Sequence, residues 1–169
     1  MESKIYEDSI NSFFTALENR DAKKIKSLFS KAVIESDADL DEQIEKLISI
    51  YPNSKTEILF DGLVGGEYEN EDFNFKSVAH TTFPIICDNR YYWVYFELVY
   101  EDDLSEENIG INSVFFYTAD EYCAFFHDEA STLPNEEGLI VFSDLKLENE
   151  VRPIYRWPYE FTTIDRIVN

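Results

Sequence analysis

The sequence predicts a single α+β domain in which N-terminal helices pack against a run of antiparallel strands. Apolar residues recur at helical spacing as far as Pro52, and from Thr56 onward the pattern changes to that of strands. No linker, repeat or low-complexity tract divides the 169 residues. Because helices come first and strands follow, we expect the helices on one face of a curved sheet. The predicted parts of the domain are a helical part (1–52), a sheet (56–118), and a short helix with a C-terminal extension packed on the body (119–169).

Three N-terminal helices are predicted. Residues 2–20 place large apolar side chains on one face, as an amphipathic helix does. Asp21 can accept a free backbone N–H at the start of a short second helix. Asp39 with Glu42 resembles a capping box, which predicts the start of a third helix that Pro52 ends.

Five strands are predicted, and the region between the first two is predicted to be a loop. That loop runs from Gly65 through the acidic residues to Asp72. We expect Pro84 to bend the second strand, and Asp88 with Asn89 to form a tight hairpin turn. Residues 90–100 are apolar on both faces, which predicts a central strand covered on both sides. The predicted strands are residues 56–63, 73–87, 90–100, 111–118 and 139–142.

The charge of the chain restricts its partners. It has 14 Lys and Arg against 35 Asp and Glu, for a formal charge of −21. Such a field repels nucleic acid and anionic membranes and attracts cationic proteins. Solubility alone is the simpler interpretation of the charge. No long apolar segment and no secretory n-region is visible, so we expect a cytoplasmic protein.

No motif predicts catalysis, a metal or a cofactor. The run Asp37-x-Asp39-x-Asp41 resembles a calcium loop but lacks its glycine and its final glutamate, so capping explains it better. Cys123 and His127 are four residues apart and would suit two zinc ligands, although a core thiol beside a helix-terminal imidazole is the simpler interpretation. Cys87 is expected to be a buried, reduced thiol, with a disulfide to Cys123 as the open alternative. Phosphate-binding and nucleophile-elbow motifs are missing from the sequence, so we expect no enzyme.

Short motifs in a set order, spread over Ser9 to Tyr122, carry a family resemblance. This stretch resembles the nuclear transport factor 2-like superfamily, in particular an uncharacterised bacterial branch that is common in Gram-positive lipoproteins. The resemblance implies a cone-shaped fold, with a bent antiparallel sheet around the helices. It implies no single activity, because the superfamily includes enzymes, small-molecule binders and interaction modules. The chain has no lipidation cysteine near its start, unlike the lipoproteins. The matching motifs are Ile10–Leu17, Asp21-Ala22, Leu28–Ser30, Asp39–Ile44, Phe60–Gly62 with Gly65-Gly66, and Ile109–Val114.

The resemblance also implies a candidate pocket. Enzymes of this superfamily place an Asp or His base in the cone, and His80 would be that base, with Tyr91 or Tyr95 as donors and Trp93 on the same face. A structural histidine is the simpler interpretation, since no second element of the sequence supports the base.

Two acidic segments beside aromatic strands are the most distinctive feature. An acidic surface with aromatic anchors is expected of a protein that masks a basic protein. The hypothesis is therefore an immunity protein that neutralises a cationic bacterial toxin, such as a nuclease of a contact-dependent or polymorphic toxin system. The alternatives are a small-molecule-binding or enzymatic domain, and a cell-surface accessory domain. The candidate partner-binding residues are Glu67, Glu69, Glu71, Asp72, Glu101, Asp102, Asp103, Glu106 and Glu107.

Overall fold

The N-terminal third of the chain forms four helices, one more than predicted. The structure, a computed structural model, describes residues 2–59, 65–71, 74–88, 90–117 and 138–141. None of the helices in this part of the chain has the length and apolarity needed to cross a membrane. The helices are α1 (Glu2–Glu18), α2 (Ala22–Leu28), α3 (Lys31–Ser36) and α4 (Leu40–Ile50).

Two helices begin at side chains that cap them. The carboxylate of Asp21 accepts a hydrogen bond from the backbone N–H of Lys24 at 2.9 Å, which confirms the predicted cap of α2. The hydroxyl of Ser30 accepts from the backbone N–H of Val33 at 3.2 Å and begins α3, which the sequence analysis missed. At six residues, α3 is too short for helical periodicity to show in the sequence.

The predicted capping box at the start of α4 is wrong. Asp39 has helical backbone angles and its side chain makes no capping hydrogen bond, whereas a capping side chain needs an extended backbone. The backbone N–H of Asp39 donates instead to the carboxylate of Asp37 at 3.0 Å, so it is not available to Glu42.

Six strands of the described part of the chain form one sheet. The order is β1-β3-β4-β5-β6, and β2 also pairs with β3. All pairs are antiparallel except β5 with β6, which run parallel, so the sheet is not purely antiparallel as predicted. The strands are β1 (Thr56–Ile58), β2 (Gly65–Glu71), β3 (Asn74–Cys87), β4 (Arg90–Asp102), β5 (Gly110–Tyr117) and β6 (Gly138–Val141).

Strand β2 lies where a loop was predicted, so that prediction is wrong. Its residues Gly65 to Glu71 pair with β3 from His80 to Asn74 without a break. Charged residues are tolerated on a strand at the edge of a sheet, where they stay in contact with water. An acidic strand there lacks the apolar alternation by which strands are predicted. The first predicted strand is correct for β1, and residues 60–64 lie outside the described residues.

The hairpin of β3 and β4 is confirmed, and β4 is central in the sheet. Cys87 pairs with Arg90 across a two-residue turn, in which Asp88 has a positive φ of 54°. Pro84 stays in register with Trp93. Its carbonyl accepts from the N–H of Leu59 on the other side, so the missing N–H of Pro84 faces away from β4. The expected irregularity is therefore not at Pro84.

Bulges interrupt the ladders at two other places. Ser77 pairs with Glu101 and the next residue of β3 pairs with Val99, which leaves Tyr100 as an extra residue in β4. A second shift leaves Asn112 as an extra residue in β5. Bulges of this kind bend a strand and increase its twist.

An aromatic core joins the helices to one face of the sheet. Phe13 of α1 lies 5.9 Å from Phe96 and 6.3 Å from Phe116, measured between ring centroids, and Phe14 lies 6.4 Å from Phe83. All five rings are buried. Aromatic pairs at these distances add to the free energy gained from burying their area.

Candidate functional site

The two acidic segments predicted from the sequence lie at the same end of the sheet. They flank the first residues of β3, with β2 on one side and the end of β4 on the other. Lys76 pairs with Glu69 of β2 and with Asp102 of β4. Adjacent strands are about 4.8 Å apart, so the backbones of the two acidic segments are roughly 10 Å apart here. Asp72 lies outside the described residues, and Glu67, Glu69 and Glu71 are placed in β2 by their backbone alone.

Asp102 is buried and holds the loop that follows β4. One carboxylate oxygen accepts from the backbone N–H groups of Leu104 and Ser105 at 3.0 and 3.1 Å, and the other accepts from Nδ2 of Asn108 at 2.8 Å. The hydrogen bond from Asn108 is the main cause that lowers the pKa of Asp102, and the two backbone hydrogen bonds also lower it. With 7% of the residue exposed, the Asp102 side chain adds little to a binding surface.

Asp103 extends the ladder of β3 and β4 by one pair. Its backbone N–H donates to the carbonyl of Phe75 at 2.9 Å, and its carboxylate accepts from the N–H of Phe75 at 3.0 Å. Asp103 is nevertheless exposed, as is Glu101, whose carboxylate accepts from the Ser77 hydroxyl at 3.4 Å. Both charges therefore reach solvent from anchored positions.

The next two candidates lie on a 3-10 turn, Glu106–Asn108, and both are exposed. Glu107 pairs with Lys31 of α3, which also lies 3.7 Å from Glu35. The hydrogen bond to Glu107 is the main cause that raises the pKa of Lys31 above its ordinary value. Glu106 has no ion pair within the part of the chain that the structure describes.

Exposed apolar side chains accompany these carboxylates. Among the described residues, four large apolar side chains are exposed, and three of them belong to this end of the sheet. Leu104 is 71% exposed, Phe75 49% and Ile109 43%. The fourth, Ile5, is on α1. We call this surface the acidic end and define it by Phe75, Glu101, Asp103, Leu104, Glu106, Glu107 and Ile109.

The candidate pocket residues lie on the other face of the sheet from the helices. His80 pairs with Glu97 in register, and alternation puts both residues opposite the Phe96 side of β4 that packs on α1. Trp93 and Tyr95 share the face of His80 and are buried. Aromatic rings fill the contact between α1 and the sheet, so His80 lies on the face away from that contact, and the predicted pocket around it stays a prediction. The side chain of Tyr91 lies outside the described part.

A polar cluster that the sequence analysis missed surrounds Glu97. One oxygen of its carboxylate accepts from the hydroxyl of Tyr95 at 2.7 Å, and the other accepts from Nδ2 of Asn112 at 2.7 Å. The ring of His80 lies 6.1 Å from that of Tyr95. Glu97 is thus held by hydrogen bonds within the sheet. Asn112 is the bulge residue of β5, and no pattern in the sequence revealed that bulge.

The remaining features of the described residues are their potential metal ligands, one thiol and one groove. These residues contain no group of three His, Cys, Asp or Glu side chains placed to hold a metal ion. Cys87 is a buried free thiol beside Ser54, as expected, while Cys123 and His127 lie outside the described residues. A groove of about 420 Å³ between α1 and α2 is lined mainly by residues with polar side chains. Its lining is Asp8, Asn11, Ser12, Thr15, Ala16, Asn19, Asp21 and Lys24.

Comparison with known proteins assigns a family. No curated protein matches the chain. A family model matches residues 12–119, more than half of the chain, from within α1 to just beyond β5. The matched region includes the acidic end. The chain therefore belongs to the family described as a domain of unknown function, DUF5104.

Proposed function

We propose that this chain is a binding protein that holds a cationic protein against its acidic end, and that the partner is a bacterial toxin which it neutralises. The observation that carries the proposal is the combination on this surface of exposed apolar side chains with exposed carboxylates. Such side chains become the centre of an interface, where a few buried residues supply most of the binding energy. Their carboxylate neighbours select a basic partner.

Leu104 is the best candidate for the central anchor. It is 71% exposed, and its backbone N–H is bound by the buried carboxylate of Asp102. A loop held in this way loses little conformational freedom when a partner binds, which favours affinity. Burying the exposed part of one leucine contributes about 1–2 kcal/mol, taking the lower part of the range for a whole side chain.

The overall charge supports rapid capture of such a partner. A formal charge of −21 gives the molecule a long-range negative field, and the acidic end concentrates exposed carboxylates within it. Complementary fields raise association rates well above those of neutral pairs, and salt reduces the effect. The same field repels nucleic acid and anionic membranes, so we expect neither as a partner.

We also propose an immunity role and a cone-shaped fold. An inhibitor of a cationic nuclease needs a complementary surface and no catalytic group, and it acts in the cytoplasm, where the nuclease would act. Helices on one face of the sheet and bulges at Tyr100 and Asn112 support a bent, nuclear transport factor 2-like sheet. Interaction modules are among the known uses of that fold.

Co-expression with a basic, toxin-like protein encoded beside this gene tests the proposal. Cells that produce the neighbour should grow only when this chain is present, and the purified pair should form a complex whose affinity falls as salt rises. Glu106→Lys should weaken the complex at least tenfold, because it places a cation in the centre of the acidic end. Glu45→Lys, on the exposed side of α4, makes the same change in net charge and is the matched control.

Two results would contradict the proposal. One is a neighbour that remains toxic although both proteins are made. The other is an equal loss of affinity in Glu106→Lys and Glu45→Lys, because net charge alone would then explain the binding.

A further inference from the structure

The strand β2 forms an edge of the sheet next to the acidic end. It pairs with β3 along its whole length, and in the described part of the chain no strand pairs along its other side. A strand of seven residues is about 23 Å long. It offers roughly three backbone N–H groups and three carbonyls to a further strand.

Charge distinguishes this edge from the others in the sheet. Glu67, Glu69 and Glu71 alternate along β2, which contains no Lys or Arg. The parallel edge strand β6 reads Gly-Leu-Ile-Val and carries no charge, and β1 carries one glutamate. Strand β2 is therefore the most acidic of these edges.

The charge also decides which strand β2 can accept. A second copy of β2 would bring glutamates opposite glutamates, and like charges directly opposite one another are destabilising. Charged edges protect sheets from self-association in this way. An extended segment with Lys or Arg at alternate positions would instead bring opposite charges together while it completes the backbone hydrogen bonds.

We propose that β2 is the docking edge for an extended, lysine- or arginine-rich segment of the cationic partner, which adds to the sheet as a further strand. The inference rests on the proposed function and specifies its mode of recognition. Backbone pairing supplies affinity in this mode, and side chains at alternate positions supply specificity.

A synthetic peptide of five Lys-Thr repeats tests the inference on the full chain. The first control is the same peptide with its backbone amide nitrogens methylated. The methyl groups keep the charge of the peptide but remove the hydrogen-bond donors on both sides of the strand. The second control replaces every lysine with glutamate. Binding is followed by fluorescence anisotropy in 50 mM salt, and backbone hydrogen exchange locates the bound peptide.

We expect the unmodified peptide to bind, the N-methylated peptide to bind at least tenfold more weakly, and the glutamate peptide not to bind. Hydrogen exchange should slow in residues 65–71 and not in 138–141. Equal binding of the methylated and unmethylated peptides would overturn strand addition and leave charge-driven binding intact. Slowed exchange at 138–141 instead of 65–71 would also overturn it.

The basic neighbouring protein separates the two proposals. If it binds and neither peptide does, strand addition fails and the proposed function stands. If neither the peptides nor the protein bind, both proposals fail.

Discussion

Replacing Gly110 with alanine is expected to destabilise the fold strongly. Gly110 has a φ of +137°, a backbone conformation that residues with a side chain rarely adopt. An added Cβ would lie 2.7 Å from the backbone nitrogen of Ser30 and 2.9 Å from its Cα, both far inside ordinary contact distance. The Ser30 backbone cannot move away freely, because its N–H donates to the carbonyl of Ile111 at 2.9 Å and its hydroxyl caps α3.

The expected loss follows from these two causes. A strained backbone costs about 1–3 kcal/mol. Overpacking against neighbours that cannot relax costs about 1–3 kcal/mol more. Gly110→Ala should therefore lower the free energy of unfolding by roughly 2–6 kcal/mol, a large part of the 5–15 kcal/mol typical of a domain.

Urea unfolding monitored by tryptophan fluorescence measures this loss, since Trp93 is buried in the sheet. Ser105→Ala is the matched control. It lies in the loop that leads to Gly110, its hydroxyl makes no capping hydrogen bond, and its backbone N–H bond to Asp102 is kept. The control should stay within about 0.5 kcal/mol of the wild type. A Gly110→Ala protein as stable as the control would refute the close contact between β5 and Ser30.

Three further predictions concern stability. Asp102→Asn should lower the free energy of unfolding by about 1–3 kcal/mol at pH 7, because an amide cannot accept from both Asn108 and the loop N–H groups. Since the folded-state pKa of Asp102 is lowered, the contribution of its carboxylate is present above the ordinary value of 3.8 and is lost as pH falls through the folded-state pKa. The difference between wild type and variant in urea unfolding should therefore shrink as pH falls below 3.8. Phe13→Ala should cost about 3–5 kcal/mol in the same assay, since Phe13 is fully buried. Burial raises the pKa of Tyr6 and of Tyr51, so the stability that their neutral forms allow is present below the ordinary tyrosine pKa and is lost as pH rises above it. Phenolate absorbance should show that both side chains ionise only when the protein unfolds. Their titration near pH 10 in the folded protein would contradict their burial.

Elements with strong local patterns were predictable from the sequence. The helix α1 and the strands β3 and β4 are long, so their apolar periodicity is repeated many times. The cap at Asp21 depends only on residues that follow within one turn. In contrast, the cap at Asp39 failed because it depends on the backbone angles of one residue, which the side-chain pattern does not specify.

Elements that depend on distant pairing were not predictable. Strand β2 is acidic, so its identity as a strand comes from its ladder with β3 and not from its own residues. The parallel pairing of β6 with β5 joins residues that are far apart in the chain, so a local pattern could not reveal its direction. Apolar residues alternate along a strand because one of its faces is buried. A polar strand at an edge need not show this alternation.

The acidic residues of the candidate site could be predicted from the sequence, but which of them are exposed could not. The acidic segments were visible in the sequence, yet nothing in it distinguished the buried carboxylate of Asp102 from the exposed one of Asp103. That difference comes from a turn in which Leu104, Ser105 and Asn108 converge on one side chain. The exposure of Leu104 follows from the same turn and was equally hidden. Glu97 was missed because its partner Asn112 reaches it through a bulge.

The most direct test of the central claim compares Leu104→Ser with Ile5→Ser in binding to the basic neighbouring protein. Both side chains are exposed, at 71% and 45%, but only Leu104 belongs to the acidic end, and neither change alters the charge. Loss of about 1–2 kcal/mol of apolar burial corresponds to a roughly 5- to 30-fold weaker complex for Leu104→Ser. Isothermal titration calorimetry should show that loss for Leu104→Ser and an unchanged affinity for Ile5→Ser. Equal affinities of the two variants would contradict the claim that the acidic end is the binding surface.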